Sequence, residues 1–322
     1  MPLPNVSTLP TDSRVILLEH INLSTQEDGD AANSTNRFYL DVLGCARDPR
    51  VKWMVHANIG LSQFHILPNQ PVSQRLDGEI GLFYPSLDEF EAHLVSRAYP
   101  YVSTLCSSRH RAVPSTIRAW DFANATSKYD HLQVTCPNGN TFQCFQSPLD
   151  YCDVVGAIGA QPGQRALGVG MPYIKILVRP GVAAGIARFY ETFLGAACVV
   201  TSTDAHAVVC VVDCGATQRL VFEQVQDEAQ LRPYDGHHIC IYIAEFEAAY
   251  SRLHGRHLTW NNPLFEDRCD TWQNTQTHQQ FRIRSIVDPE SCTVLLELEH
   301  EIRPVDHSRC PLFANSNHHL VD

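Results

Sequence analysis

One helical signature occurs twice in this chain, and it restricts the fold to an internally duplicated one. Phe38-Tyr39-Leu40-Asp41-Val42-Leu43-Gly44 returns as Phe189-Tyr190-Glu191-Thr192-Phe193-Leu194-Gly195, 151 positions later. Gln63 matches Gln218 at an offset of 155, the Asp77-Gly78 turn matches Asp235-Gly236 at 158, and Cys136-Pro137 matches Asp288-Pro289 at 152. Landmarks that keep one order at nearly one offset indicate a repeated domain, so the copies can be compared position by position.

Local patterns give the element order within each copy. Val15–Leu23 is an apolar strand. A helix over 33–43 buries Phe38, Tyr39, Val42 and Leu43, and Gly44 stops it. Strands follow near 53–57 and 63–67, and another begins at Glu79. Ser86 with Glu89 forms a capping box for a second helix, with Leu87, Phe90 and Leu94 on one face. Strands are expected at 117–122 and 131–135, and Asn138-Gly139-Asn140 turns the chain into a strand at 141–146. The second copy repeats the order: strand 173–178, helix 185–194, strands 207–212 and 219–222, strand 238–243, helix 244–253, strands 282–287 and 293–298. The reading is an α+β fold of four βαβββ modules. It gives an N-terminal domain 15–147, a linker 148–170, a C-terminal domain 171–302 and an irregular tail 303–322.

A chain of 322 residues can bury two cores, and 44% hydrophobic with 18% charged residues is a globular composition. Twenty-four basic against 35 acidic residues gives a net charge of −11, which disfavours nucleic-acid phosphate or an anionic membrane as partner. No apolar run is long enough to span a bilayer, and the N-terminus lacks the basic start and apolar core of a secretory signal. The 12 cysteines include members of apolar runs such as Cys210 and Cys240 and form no Cys-x-x-Cys pair, so a cytoplasmic, reducing location is expected. A phosphate loop, a dinucleotide fingerprint and a nucleophile elbow are all missing from the sequence.

Tandem βαβββ modules resemble the vicinal oxygen chelate superfamily, which includes glyoxalase I, fosfomycin- and bleomycin-resistance proteins and extradiol dioxygenases. The residues that carry the resemblance are His20 to Leu23, Phe38-Tyr39 with Leu43-Gly44, and Cys136-Pro137-Asn138-Gly139-Asn140-Thr141-Phe142-Gln143. In the second copy they are Phe189-Tyr190 with Leu194-Gly195, Gly236-His237-His238-Ile239 and Asp288-Pro289. The resemblance implies that each domain curls into a cup and that four inward positions, on the first and last strand of each module, can hold one divalent metal.

Placed by those motifs, the four positions fall on His20, His65, Glu79 and Gln143 in the N-terminal domain. They fall on Lys175, Leu220, His238 and Leu295 in the C-terminal one. Two imidazoles and a carboxylate suit Fe, Mn, Zn or Ni and leave positions open for substrate oxygens. Glu79 is then the obvious catalytic base. Each residue also has a structural reading: His65 as a hydrogen-bonded core residue, Glu79 as a strand-start charge, Gln143 as a lining amide. The second cup reads as metal-free, with Lys175, His238 and, two residues along the strand from Leu295, Glu297 available for a ligand. The run from Glu297 to Arg303 reads as a solvated edge or domain contact. The expected function is a metal-dependent enzyme, dioxygenase-like or glyoxalase- or isomerase-like, acting on a small oxygen-bearing substrate. The alternative is a non-catalytic small-molecule binding protein, and a homodimer is compatible with either.

Overall fold

The computed structural model describes residues 13–30, 32–106, 113–151 and 164–312. Four modules follow one another. The first is β1 (Val15–Ser24), α1 (Ser34–Arg37, continued by a π-helical turn Phe38–Val42), β2 (Ala46–Arg47), β3 (Val55–Ile59) and β4 (Ser62–Leu67). The second is β5 (Gly78–Tyr84), α2 (Leu87–Ser96), β6 (Val102–Thr104), α3 (Ala125–Lys128), β7 (His131–Thr135) and β8 (Thr141–Gln146). The third is β9 (Gly170–Val178), α4 (Ala183–Phe189, continued by a π-helical turn Tyr190–Leu194), β10 (Cys198–Ser202), β11 (Val208–Asp213) and β12 (Arg219–Gln224). The fourth is β13 (His238–Ile243), α5 (Phe246–His254), α6 (Trp272–His278), β14 (Phe281–Val287) and β15 (Val294–Pro304). Its second strand is reduced to a single bridge, Thr259 to Ile283.

The duplicated signature builds the same corner in both halves. Phe38, Tyr39, Val42 and Leu43 are buried, as are Phe189, Tyr190, Phe193 and Leu194. The widened turn lets the Leu43 amide reach back to the Phe38 carbonyl. Gly44 and Gly195 then take φ of +66° and +64°, a left-handed C-terminal stop that favours glycine. The Ser86 side chain accepts from the Glu89 amide at the start of α2, as the capping box requires.

The α+β, four-module reading holds, but the modules pair differently from the expectation. One sheet runs β14-β15-β13-β1-β4-β3-β2 and the other β10-β11-β12-β9-β5-β8-β7-β6. Module one therefore shares a cup with module four, through antiparallel β1 and β13, and module two with module three, through β5 and β9. We call these the outer-module cup and the inner-module cup. Neither sequence half closes a cup by itself. The Gln218 amide seals the seam between the two: it accepts from the Leu18 amide at 3.0 Å and donates to the Leu18 carbonyl and the Ser62 hydroxyl at 2.8 Å each.

Two more expectations are corrected. Residues 117–122 form no strand: Thr116 and Asp121 cap two short 3-10 turns there, Ile117–Ala119 and Phe122–Asn124. The irregular tail begins later than residue 303, because β15 runs on to Pro304, and the chain after it packs Val305, Cys310 and Leu312 beneath Leu17, Cys240 and Tyr242. The expected linker 148–170 and tail 303–322 fall in part (152–163 and 313–322) outside the described residues.

Candidate metal centre in the outer-module cup

Strand alternation gives every strand of this cup one face toward the helices and one toward the interior. Ile239, Ile241 and Ile243 of β13 join the core under the helices, so His238, Cys240 and Tyr242 face inward. Register then lines up two polar rows. Gln63, His20, Cys240, Glu301 and Arg282 lie side by side across β4, β1, β13, β15 and β14. His56, His65, Asn22, His238 and Glu299 form the next row. A register shift between Leu18 and His20 brings Glu19 beside His20.

The result is a buried ionic cluster. His20, His238 and Glu301 are each no more than 3% exposed, and one ligand atom of each lies within 4.8 Å of the others. Glu19, His20 and Cys240 form a second such group that shares His20. His20 Nδ1 is 2.6 Å from Glu19 Oε2, while its buried Nε2 has no hydrogen-bond partner among the described residues. The rings of His56, His65 and His20 stack in series, with centroids 3.6 and 3.7 Å apart. His238 Nε2 sits 3.8 Å from Glu301 Oε2.

Two arginines close the cluster. Arg282, 2% exposed, donates to Glu301 at 2.6 Å, Glu299 at 2.7 Å and Asp267 at 2.8 Å. Arg303 pairs with the other oxygen of Glu301 and lies 3.8 Å from Glu19. Burial by itself would raise the Glu301 carboxyl; Arg303 and Arg282 overcome it and hold it well below the usual range. Burial wins at Glu299, which is raised despite Arg282. Burial, reinforced by neighbouring positive charge, keeps His65 and His238 well below an ordinary imidazole and brings His56 down to about 4. Burial likewise pushes the Cys240 thiol up.

This donor set fits a divalent ion. The carboxylate on Nδ1 orients the imidazole and leaves Nε2 as the free donor, the arrangement of a metal-ligating histidine with its supporting carboxylate. Glu19, Asp267, Glu299 and Glu301 bring four carboxyls against the two guanidiniums of Arg282 and Arg303, so the cluster has room for further positive charge. A carboxylate offers about four lone-pair directions, so Glu301 can keep both arginines and still donate. His65 stacks on His20 and donates from Nε2 to the Gln63 amide oxygen at 2.9 Å, which makes it a neighbour of the triad.

The expected constellation of His20, His65, Glu79 and Gln143 is therefore divided. His20 and His65 meet, but Glu79 and Gln143 lie in the inner-module cup, because β5 and β8 belong to the other sheet. There Glu79 accepts from Gln143 at 3.1 Å and Tyr173 at 2.9 Å, and Lys175 bridges it to Glu223 at 3.2 and 3.3 Å. Burial lowers the Lys175 ammonium, but the two carboxylates outweigh it and raise it, so this cup carries its own cation. By ladder position Tyr173, Val221, Glu79 and Gln143 stand where the outer-module cup has His20, His65, His238 and Glu301.

His238 leaves the ligand group expected around Lys175 and joins His20. Leu220 turns to the core, one residue from the inward Val221. Neither Leu295 nor Glu297 reaches the fourth module's inward position beside His20: Glu297 pairs with Arg284 at 3.1 Å, and the inward carboxylate is that of Glu301. The β14–β15 hairpin has two register shifts, so motif spacing from Asp288 falls short of it. Glu19, Cys240, Glu301, Arg282 and Arg303 were not anticipated. The alternation Glu299, Glu301, Arg303 against Leu298, His300, Ile302 is the one signal that could have exposed the last strand's polar face.

A cavity of about 460 Å³ opens at the mouth, lined among others by Ser24, Gln74, Trp260, Asn262, Leu264 and Glu299. None of His20, His238 and Glu301 lines it; Glu299, which accepts from Asn262, does, and the Phe265 ring meets His238 edge-on at 5.7 Å. A second cavity of about 450 Å³, which takes in His237 and Glu297, is lined by neither cluster.

The cup architecture is that of the vicinal oxygen chelate fold. No family model and no curated protein sequence matches the chain. Among solved structures, glyoxalase I from Zea mays is 13% identical, covering 94% of this chain and 96% of its own with a TM-score of 0.51. A single-substitution variant of the same enzyme is 13% identical, covering 89% and 92% with a TM-score of 0.53. A protein from Bacillus subtilis provisionally assigned as a dioxygenase is 14% identical, covering 91% and 86% with a TM-score of 0.53. At such identities the likeness is one of fold. Among the described residues, no helix is long and apolar enough to cross a membrane.

Proposed function

We propose that this protein is a metal-dependent enzyme of the vicinal oxygen chelate type whose site is the outer-module cup, with His20, His238 and Glu301 as ligands. The observation that carries the reading is the buried, unpartnered Nε2 of His20 beside His238 and Glu301, with Glu19 holding Nδ1. A bound divalent ion would supply Lewis acidity toward two oxygens of a small substrate. The chain's own residues do the rest. Glu19 fixes the tautomer of His20, Arg282 and Arg303 hold Glu301 in place, and the mouth cavity bounds the substrate's size. Glu299, whose carboxyl burial raises despite Arg282, lines that mouth as a hydrogen-bonding group for the substrate. The reaction is of the dioxygenase or the glyoxalase and isomerase kind. The cup is complete within one chain, so a homodimer is not needed to build it, and a cytoplasmic location suits the free cysteines.

A second reading has its own support. Arg282 and Arg303 occupy both oxygens of Glu301, so the cluster can be a metal-free ionic core beneath a small-molecule binding mouth. Metal analysis of protein purified without chelators separates the two. The enzyme reading expects about one Fe, Mn, Zn or Ni per chain, lost in His20→Ala and His238→Ala and kept in Glu79→Gln. Metal-free protein whose melting temperature is unmoved by added ion would favour the binding reading, because a bound ion stabilises by linkage.

A further inference from the structure

We propose that Cys240 is a ligand at this centre and that the centre prefers thiophilic ions, Zn(II) above Mn(II) or Mg(II). The inference rests on the metal reading above and extends it to the identity of the ion.

Cys240 occupies the ladder position between His20 and Glu301. The residues on either side of it in the row are thus two members of the triad, and its side chain is on their face. Its Sγ lies 3.9 Å from Glu301 Oε1. It also groups with Glu19 and His20, each offering an atom within 4.8 Å of the other two. An ion bound about 2.3 Å from sulfur and about 2.0–2.1 Å from an imidazole nitrogen spans up to about 4.4 Å between those donors. Cys240 approaches Glu301 Oε1 and His238 approaches Oε2, so sharing one ion among Cys240, His20 and Glu301 takes rotation of the thiol and carboxylate side chains. Independently of the thiol, the orphaned His20 Nε2 is an unpartnered donor in a residue 1% exposed. Sulfur beside two nitrogens and a carboxylate is the donor mix that selects Zn(II) among abundant ions, whereas Mn(II) and Mg(II) favour all-oxygen or oxygen-rich sites. At the matching position of the inner-module cup stands Gly81, between Tyr173 and Gln143, so this thiol is particular to the cup with the histidines.

The test uses Co(II) as a spectroscopic stand-in for Zn(II). Full-length protein, stripped of metal and titrated with Co(II), is expected to bind about one ion and to develop an intense near-ultraviolet sulfur-to-cobalt charge-transfer band. Cys240→Ser should still bind Co(II), with that band lost, and its preference for Zn(II) over Mn(II) in a competition titration should narrow at least tenfold. Cys310→Ser, which removes the other thiol packed near the base of the cup, should keep the band. Binding without the band, or a band that survives in Cys240→Ser, overturns the thiolate assignment and leaves the metal centre standing. No Co(II) binding by wild type overturns both. Circular dichroism of each variant separates loss of a ligand from loss of fold.

Discussion

The two cups are built on one ladder and draw the cations that meet their buried acids from different strands, Arg282 and Arg303 of β14 and β15 in the outer-module cup and Lys175 of β9 in the inner one. In the inner-module cup Lys175 sits between Glu79 and Glu223, a cation supplied by the chain at a position where the outer-module cup has neutral Asn22. Their covers differ too. Both arise after the second strand of a module, from residues 113–130 in one and 260–280 in the other. The first drives Ile117, Trp120 and Phe122 against Phe83, Phe145 and Tyr173. The second lays Asn262 on Glu299 and Asp267 on Arg282 and leaves a cavity above them. One cup is filled with aromatic side chains around the Lys175 ion pairs and leaves Trp120 Nε1 and Gln143 Oε1 without partners among the described residues; the other is roofed with polar groups and leaves an imidazole nitrogen, His20 Nε2, unpartnered. The difference teaches that one ladder geometry carries two different inward side-chain sets, and among the described residues the outer-module cup is the one that sets imidazoles facing carboxylates.

The comparison predicts its largest effect at Arg282. Arg282→Met leaves Glu299 and Asp267 without their guanidinium and Glu301 with Arg303 alone, and breaking a buried pair from one side costs about 3–5 kcal/mol. Urea denaturation should show this, and Zn(II) should restore part of the loss by taking over the positive charge. A fully stable variant would mean that these acids are neutral in the fold.

Next comes the plug. Trp120→Ala, at a site 5% exposed, should cost about 3 kcal/mol and leave metal content unchanged. Loss of the metal would show that the two cups are coupled across their seam.

Acid should act in part through the outer-module cup, alongside His300 and His307, which burial also brings down to about 4. His56, His65 and His238 have folded-state values below the usual 6.5, so they remain neutral in the fold while the unfolded chain takes up protons. Their contribution is fully present above pH 6.5 and is lost as pH falls toward their folded values. Glu19 and Glu301, also lowered, lose theirs below about pH 4.5, the ordinary glutamate value. Each histidine adds about 1.4 kcal/mol per pH unit to the slope while only the unfolded form titrates. The metal-free protein's stability should fall steadily from pH 6.5 to 5, and His65→Asn with His56→Asn should flatten that fall. An unchanged slope in the double variant would place the pH dependence outside this stack.

Much of this was legible in the residues. The repeated Phe-Tyr to Leu-Gly corner, the Ser86 cap and the Asn138-Gly139 turn are local signals, decided by neighbours in sequence, and they gave four modules in order. Local patterns cannot tell which modules share a sheet, because β1 could close against β5 or β13 with the same alternation. That choice separated His20 from Glu79 and joined it to His238. Register was the second limit. Leu220 missed the inward position by one residue and Leu295 missed Glu301 by six, since bulges in a hairpin add residues that motif counting does not see. Residues 117–122 looked like a strand from their apolar content, yet Thr116 and Asp121 divert the backbone into capped turns.

The smallest expected effect is the sharpest test of the comparison. Lys175→Met removes the inner-module cup's own cation and leaves Glu79 and Glu223 facing each other. Their side chains are 15% and 25% exposed, so water screens part of the repulsion, and Gln143 and Tyr173 still donate to Glu79. A cost of about 1–2 kcal/mol follows, well under that of Arg282→Met. If the lysine occupies the place of a divalent ion, the variant should also gain a weak divalent site, visible as a rise of about one in binding stoichiometry over the wild type. A gain of affinity without loss of stability would mean that the inner cup is a closed metal site. A loss of stability without any new binding would mean that imidazoles, which only the outer-module triad supplies, are what a site on this ladder requires.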